Sequence, residues 1–110
     1  WIPPEIRADV ESALKNVAVS AVWSSKSSME ITHPEANKGN GLLHLCRLLD
    51  IPMENTMAIG DSGNDESMLR CAGLGVAMGN APEFIKSIAD AVTETNENDG
   101  AAIAIETYCL

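Results

Sequence analysis

From Lys38 onward the sequence alternates between helical and strand patterning, beginning with a helix. Residues 39–49 place Leu42, Leu45, Cys46 and Leu49 on one helical face, at spacings of three and four. Residues 56–60 follow as an apolar strand, and 64–71 return to helix. A short strand lies within 72–78 among glycines, Pro82 opens a helix reaching about Ser87, 91–93 is a very short strand, 96–100 is a loop and 101–108 is a further helix. Strands separated by helices cannot pair through tight hairpins. They need crossover connections, and so a parallel sheet with helices packed on it. The chain is therefore expected to be an α/β protein built on part of a doubly wound parallel sheet.

The first 33 residues read differently. Pro3-Pro4 lead a helical pattern through Ile6, Val10, Ala13 and Leu14, with the prolines in the first turn, where their missing N–H is tolerated. Val17 to Trp23 alternates and is rich in β-branched residues, so it reads as a strand. Ser24 to Ser28 is a polar connection, and Met29 to Thr32 alternates again as a second, antiparallel strand. His33-Pro34 breaks the pattern and marks a boundary, dividing the chain into 1–33 and 34–110.

A chain of 110 residues with 45% hydrophobic content suits one small domain or one part of a larger one. Its net charge of −9 argues against nucleic acid or an anionic membrane as a main partner, because both call for basic patches. No apolar run approaches the ~20 residues of a membrane span. Cys46, Cys71 and Cys109 are odd in number and lack Cys-x-x-Cys spacing, which disfavours a disulfide framework or zinc site and fits a reducing cytoplasm. Each lies in an apolar helical pattern, so burial is expected for all three. The first residue is Trp1 and not Met, and the expectation is that an upstream part has been removed.

The densest chemistry lies in Gly60-Asp61-Ser62-Gly63-Asn64-Asp65-Glu66, directly after the apolar Met57-Ala58-Ile59. A short buried run ending in Gly-Asp delivers an acid from a strand to a loop. Asp61 and Asp65 in so small a space repel each other, and a cation is a natural way to hold both. The same residues also suit a plain capping box, with Ser62 as N-cap and Asp65 returning to it. A calcium EF-hand is a poor fit, because Gly63, Glu66 and Ala72 stand where a ligand, a glycine and a glutamate are needed. Lys38 opens a helix after Asn37, its expected N-cap. An ammonium beside free helix N–H groups makes a site for a phosphate or a carboxylate, and a solvated surface lysine is the plain alternative. Gly73 to Gly79 is not a dinucleotide fingerprint, since its glycines bracket a strand. His33 and His44 form no recognisable catalytic arrangement.

Taken in order, Lys38-Gly39, Gly60-Asp61-Ser62-Gly63-Asn64-Asp65, Ala72 to Ala81, Ala89 to Thr93 and Asn98-Asp99-Gly100 resemble the C-terminal third of the haloacid dehalogenase (HAD) superfamily phosphatases. The nearest subgroup is the Cof-type, whose α/β cap (type IIB) is inserted between core motifs. The resemblance runs from about Met29 onward. It implies that 1–33 is the end of a cap and 34–110 the C-terminal part of a Rossmann-like HAD core. It further implies a phosphohydrolase using Mg2+ and acting on small phosphorylated metabolites such as sugar phosphates. In that family an aspartate takes the phosphoryl group and water then releases it. Carried over, Lys38 would be catalytic and substrate-binding, holding the nucleophile and neutralising phosphate charge. Asp61 would bind magnesium directly or through water, and Asp65 would support the metal site. Asn64 would contact phosphate or its surroundings, and Asn80 would shape the pocket wall.

The family nucleophile lies in an N-terminal Asp-x-Asp segment, and none of Asp9, Asp50, Asp61, Asp65, Asp90 or Asp99 begins one. The chain is therefore expected to be a C-terminal piece without its central strand, inactive alone and completed by the N-terminal part of the same protein. A sheet lacking that strand exposes an open edge, through which homo-oligomers can form. The rival reading is a non-catalytic metal- or phosphate-binding or interaction module on the same fold. The phosphorylation domain of a cation-pumping ATPase shares the Gly-Asp-x-x-Asn-Asp pattern but is disfavoured by the Glu66-Ser67 continuation.

Overall fold

The computed structural model describes residues 2–110 and begins with a proline-led 3-10 turn, Pro4–Ile6, running into helix α1, Arg7–Leu14. This helix buries none of its residues. Polar contacts tie it to the hairpin that follows, formed by β1, Ser20–Trp23, and β2, Met29–Thr32. The Trp23 indole N–H donates to Glu11 Oε1 at 2.7 Å, and the Arg7 guanidinium lies 3.8 Å from the centre of the same ring. The pair is antiparallel, as expected, with Val22 opposite Glu30 and Trp23 opposite Met29. β1 is shorter than its alternating pattern. The Val17 N–H donates to Leu14 O and the Val19 N–H to Val17 O, so residues 17–19 turn before pairing starts.

Helix α2, Lys38–Leu49, starts where expected: Asn37 caps it by accepting from the Asn40 N–H at 2.9 Å. Asp50 ends it in the left-handed conformation, φ 55°. Strand β3, Met57–Gly60, leads through a 3-10 turn, Gly63–Asp65, into α3, Glu66–Cys71. Next come β4, Leu74–Ala77, α4, Glu83–Lys86, β5, Ala91–Val92, and α5, Gly100–Tyr108. The three strands form one parallel sheet in the order β3-β4-β5, with Met57 beside Leu74 and Val76 beside Ala91. The α/β reading therefore holds. The core is built from Ala58 and Ala77 on the sheet, with Leu69, Ala81 and Ile85 packed on them. The alanines keep the helices close to the strands, and Leu69 and Ile85 fill the remaining space. No helix among the described residues is long and apolar enough to cross a membrane.

Two expectations of burial fail. On α2 only Cys46 is buried and Leu42 half-buried, whereas Leu45 and Leu49 are 49% and 56% exposed. The core meets just one edge of the apolar stripe, so periodicity marked a face wider than its packing partner. Cys71 and Cys109 are likewise exposed, because each stands at the end of a helix.

β3 pairs with β4 alone, so among the described residues its other edge has no strand beside it. Unpaired backbone donors and acceptors on such an edge recruit further strands. The 110-residue chain is expected to self-associate as its concentration rises. A monodisperse monomer by light scattering across that range would count against this.

Candidate functional site

The site forms where β3 ends. Gly60 is buried, and the chain leaves the sheet at its carboxyl end, the place where open α/β sheets collect ligands. A methyl group on Gly60 would stand 2.5 Å from Asp65 Cβ, so the glycine leaves the space that the Asp65 side chain occupies. That carboxylate is the hub of the loop. Its Oδ2 accepts from the Asp61 N–H at 2.9 Å and the Ser62 N–H at 3.1 Å, with the Ser62 hydroxyl at 3.4 Å. Its Oδ1 accepts from the Lys38 ammonium. The capping box expected from Ser62 and Asp65 is present. Burial by itself would raise the Asp65 carboxyl. The Lys38 hydrogen bond, the two backbone N–H groups and the lysine charge outweigh it and hold the group below the usual aspartate value.

Lys38 reaches Asp65 because α2 and α3 touch. A methyl group on Gly39 would lie 2.6 Å from Ser67 O, and the Gly39 N–H donates to Ser67 Oγ at 2.9 Å. The glycine thus serves helix packing, and not the approach of a ligand to the backbone. The helix terminus is also less open than expected. Ser67 takes the Gly39 N–H and Asn37 takes that of Asn40, so the ammonium carries the cationic character of this corner. The Lys38 side chain stays half exposed, and one bond leaves its other N–H donors free.

The sequence-selected residues Lys38, Asp61 and Asn64 gather around this hub, with Asn80 beside Asp61. Lys38 Nζ and the Asp61 N–H sit on opposite oxygens of one carboxylate. The Asp61 side chain is exposed, and its Oδ2 lies 3.5 Å from Asn80 Nδ2, the outer limit of a hydrogen bond. Asn80 is itself fixed by accepting the Asn96 N–H at 2.9 Å. Asn64 accepts from the Ser62 hydroxyl at 2.7 Å and donates to Glu30 Oε1 at 3.0 Å. Lys38 and Asn64 line a cleft of about 1150 Å³ between α2, α3 and the hairpin. Asp61 opens on an adjoining hollow of about 660 Å³ beside Trp23 and Phe84, and Gly63 borders both. Glu30 and Ser67 were not selected from the sequence. Their partners lie 34 and 28 residues away, and no local pattern marks them.

Among the described residues no three His, Cys, Asp or Glu side chains converge into a metal cage. The donor set still fits magnesium, which keeps several waters and takes one or two carboxylates plus phosphate oxygens. Asp61 presents such a carboxylate. Asp65 does not, because its acceptor positions are filled by Asp61, Ser62 and Lys38.

Residues 3–105 match the haloacid dehalogenase-like hydrolase family. The chain belongs to that family. It is 54% identical over 84 residues to the phosphatase YwpJ of Bacillus subtilis (strain 168), covering 76% of this chain and 30% of the relative. It is 43% identical over 107 residues to 5-amino-6-(5-phospho-D-ribitylamino)uracil phosphatase YcsE of the same organism, covering 96% of this chain and 43% of the relative. The solved HAD subclass IIB sugar phosphatase BT4131 superimposes with a TM-score of 0.86 at 34% identity, over 97% of this chain and 40% of that one. The HAD chain thus spans less than half the length of each of these relatives. Its α/β sheet is the HAD core architecture, in agreement with the resemblance read from the motifs.

Proposed function

We propose that this HAD chain supplies the lysine and the metal-side carboxylate of a magnesium-dependent phosphohydrolase acting on small phosphorylated metabolites such as sugar phosphates. The reading rests on one observation: Lys38, Asp61 and Ser62 are pinned to the buried Asp65 carboxylate, which leaves the Asp61 carboxylate exposed at the mouth of the sheet. The half-exposed Lys38 ammonium binds the phosphoryl oxygens and the attacking carboxylate, offsetting the charge that builds up as they approach. The Asn64 amide orients the phosphate, and the rigid Asp65 hub holds lysine and loop at fixed separation. Asp61 holds magnesium, which, when bound, neutralises phosphoryl charge and orients the transfer. Residues 1–33 act as the end of the cap and 34–110 as the C-terminal part of the core. The attacking carboxylate comes from an N-terminal Asp-x-Asp segment of the same protein, since this chain contains none.

The test compares the complete protein with the 110-residue chain, using a chromogenic phosphate and magnesium titration. The complete protein is expected to turn over only with magnesium, and Asp61→Asn to lower kcat by about 10²–10³-fold with weaker magnesium dependence. The 110-residue chain is expected to show no turnover. Full activity of Asp61→Asn would remove the assigned metal role, and magnesium-dependent turnover by the short chain would refute the need for a second segment. The alternative of a non-catalytic binding module is favoured by the missing Asp-x-Asp. It predicts magnesium or phosphate binding without turnover in the complete protein.

A further inference from the structure

Glu30 stands outside every role assigned above, yet its carboxylate reaches the middle of the site. It lies on β2 opposite Val22, and the pairing register puts Ser20, Val22, Glu30 and Thr32 on the hairpin face that borders the cleft holding Lys38 and Asn64. Its Oε1 accepts from Asn64 Nδ2 at 3.0 Å. On the other side of the same amide, Oδ1 accepts from the Ser62 hydroxyl at 2.7 Å. Both ends of the Asn64 side chain therefore have a partner, and the two contacts set which end of the amide faces the loop and which the exposed Glu30. One N–H of Nδ2 is spent on Glu30, which leaves the second as the donor for an incoming anion. The contacts continue from Ser62 to Asp65 and on to Lys38. Glu30 is the point at which the hairpin joins this series. The hairpin is seated closely there, because a methyl group on Gly63 would lie 3.1 Å from Trp23 O.

We propose that Glu30 is a positioning residue for phosphate-monoester recognition. It fixes the Asn64 amide so that one N–H faces the phosphate, and it makes that orientation depend on the hairpin resting against the loop. The inference builds on the assignment of Asn64 as a phosphate contact. A surface ion pair in this place would have no such effect, since Glu30 contacts a neutral amide that is held at both ends. Removing Glu30 leaves Asn64 with one anchor, and a freely turning amide spends part of its binding energy on being ordered.

The experiment uses inorganic phosphate as a competitive inhibitor of the complete protein, in the wild type, Glu30→Ala, Glu30→Gln, Asn64→Ala and Glu30→Ala/Asn64→Ala. Glu30→Ala is expected to raise the phosphate inhibition constant about tenfold. Glu30→Gln keeps an acceptor of the same reach and is expected to stay within about twofold. The double variant is expected to bind no worse than Asn64→Ala, because the two residues act in series. A second readout needs no turnover. The Asn64 side-chain NH2 resonances of the complete protein should hold their shifts in Glu30→Gln and lose them in Glu30→Ala. Additive losses in the double variant, or a Glu30→Ala protein with unaltered phosphate affinity beside a weakened Asn64→Ala, would overturn the inference alone. Unaltered phosphate affinity in Asn64→Ala would overturn both the phosphate assignment of Asn64 and the inference.

Discussion

Asp65→Ala is expected to destabilise the chain by about 2–4 kcal/mol and to abolish the geometry of the site. Asp65 is buried and carries the charged acceptor shared by the Asp61 N–H, the Ser62 N–H and Lys38. Without it the two N–H groups lose their partner in a partly buried loop, and the lysine loses the contact that fixes its direction. The cavity adds to the loss. The same carboxylate predicts a pH dependence with a definite sign. Burial opposes its ionisation, but Lys38 and the loop N–H groups prevail, so the folded group titrates below the unfolded one. Its contribution to stability is then complete above the unfolded aspartate value, about pH 4, and declines as the pH falls through the lower folded value. Chemical denaturation of wild type and Asp65→Asn at pH 7 and at pH 3 measures this. The gap between the two proteins should narrow at the lower pH. A constant gap would show that the carboxylate is not held in its charged form by these partners.

The second large effect concerns Lys38. In the complete protein, Lys38→Met is expected to lower kcat by about 10²–10³-fold, the loss typical of one transition-state donor. Stability should fall much less, by about 1 kcal/mol, since Asp65 keeps its three donors from Asp61 and Ser62 and the lysine is half exposed. That asymmetry is the test. A lysine that merely braced Asp65 would show equal small losses in both measurements. Lys38→Arg should recover stability but little turnover, because a planar fork cannot reproduce a compact ammonium on a short path to the phosphate. Steady-state kinetics with thermal unfolding of the three proteins separates these outcomes.

Much of the architecture could be read before any coordinates. The switch from helix to strand patterning after Lys38 left a parallel sheet as the one arrangement that its connections allow. Asn37 announced the start of α2, and the Ser62–Asp65 pair announced the turn before α3, because caps are local events between residues three or four apart. Periodicity misled at Leu45 and Leu49. A helical stripe records what can be buried, whereas burial depends on how wide a neighbour lies against it.

What the sequence alone determined was the succession of elements and the delivery of Lys38, Asp61, Asn64 and Asp65 to helix starts and strand ends. These follow from local backbone preference and near-neighbour hydrogen bonds. Only the tertiary structure decided which of these residues meet. It turned Asp65 inward onto Lys38, left Asp61 facing outward and brought Glu30 to Asn64 across 34 residues of chain. Partners so distant are chosen by the packing of helices and hairpin at close-contact glycines such as Gly39, against Ser67, and Gly63, against Trp23. That packing depends on the volume available at each contact, and no short-range pattern encodes it.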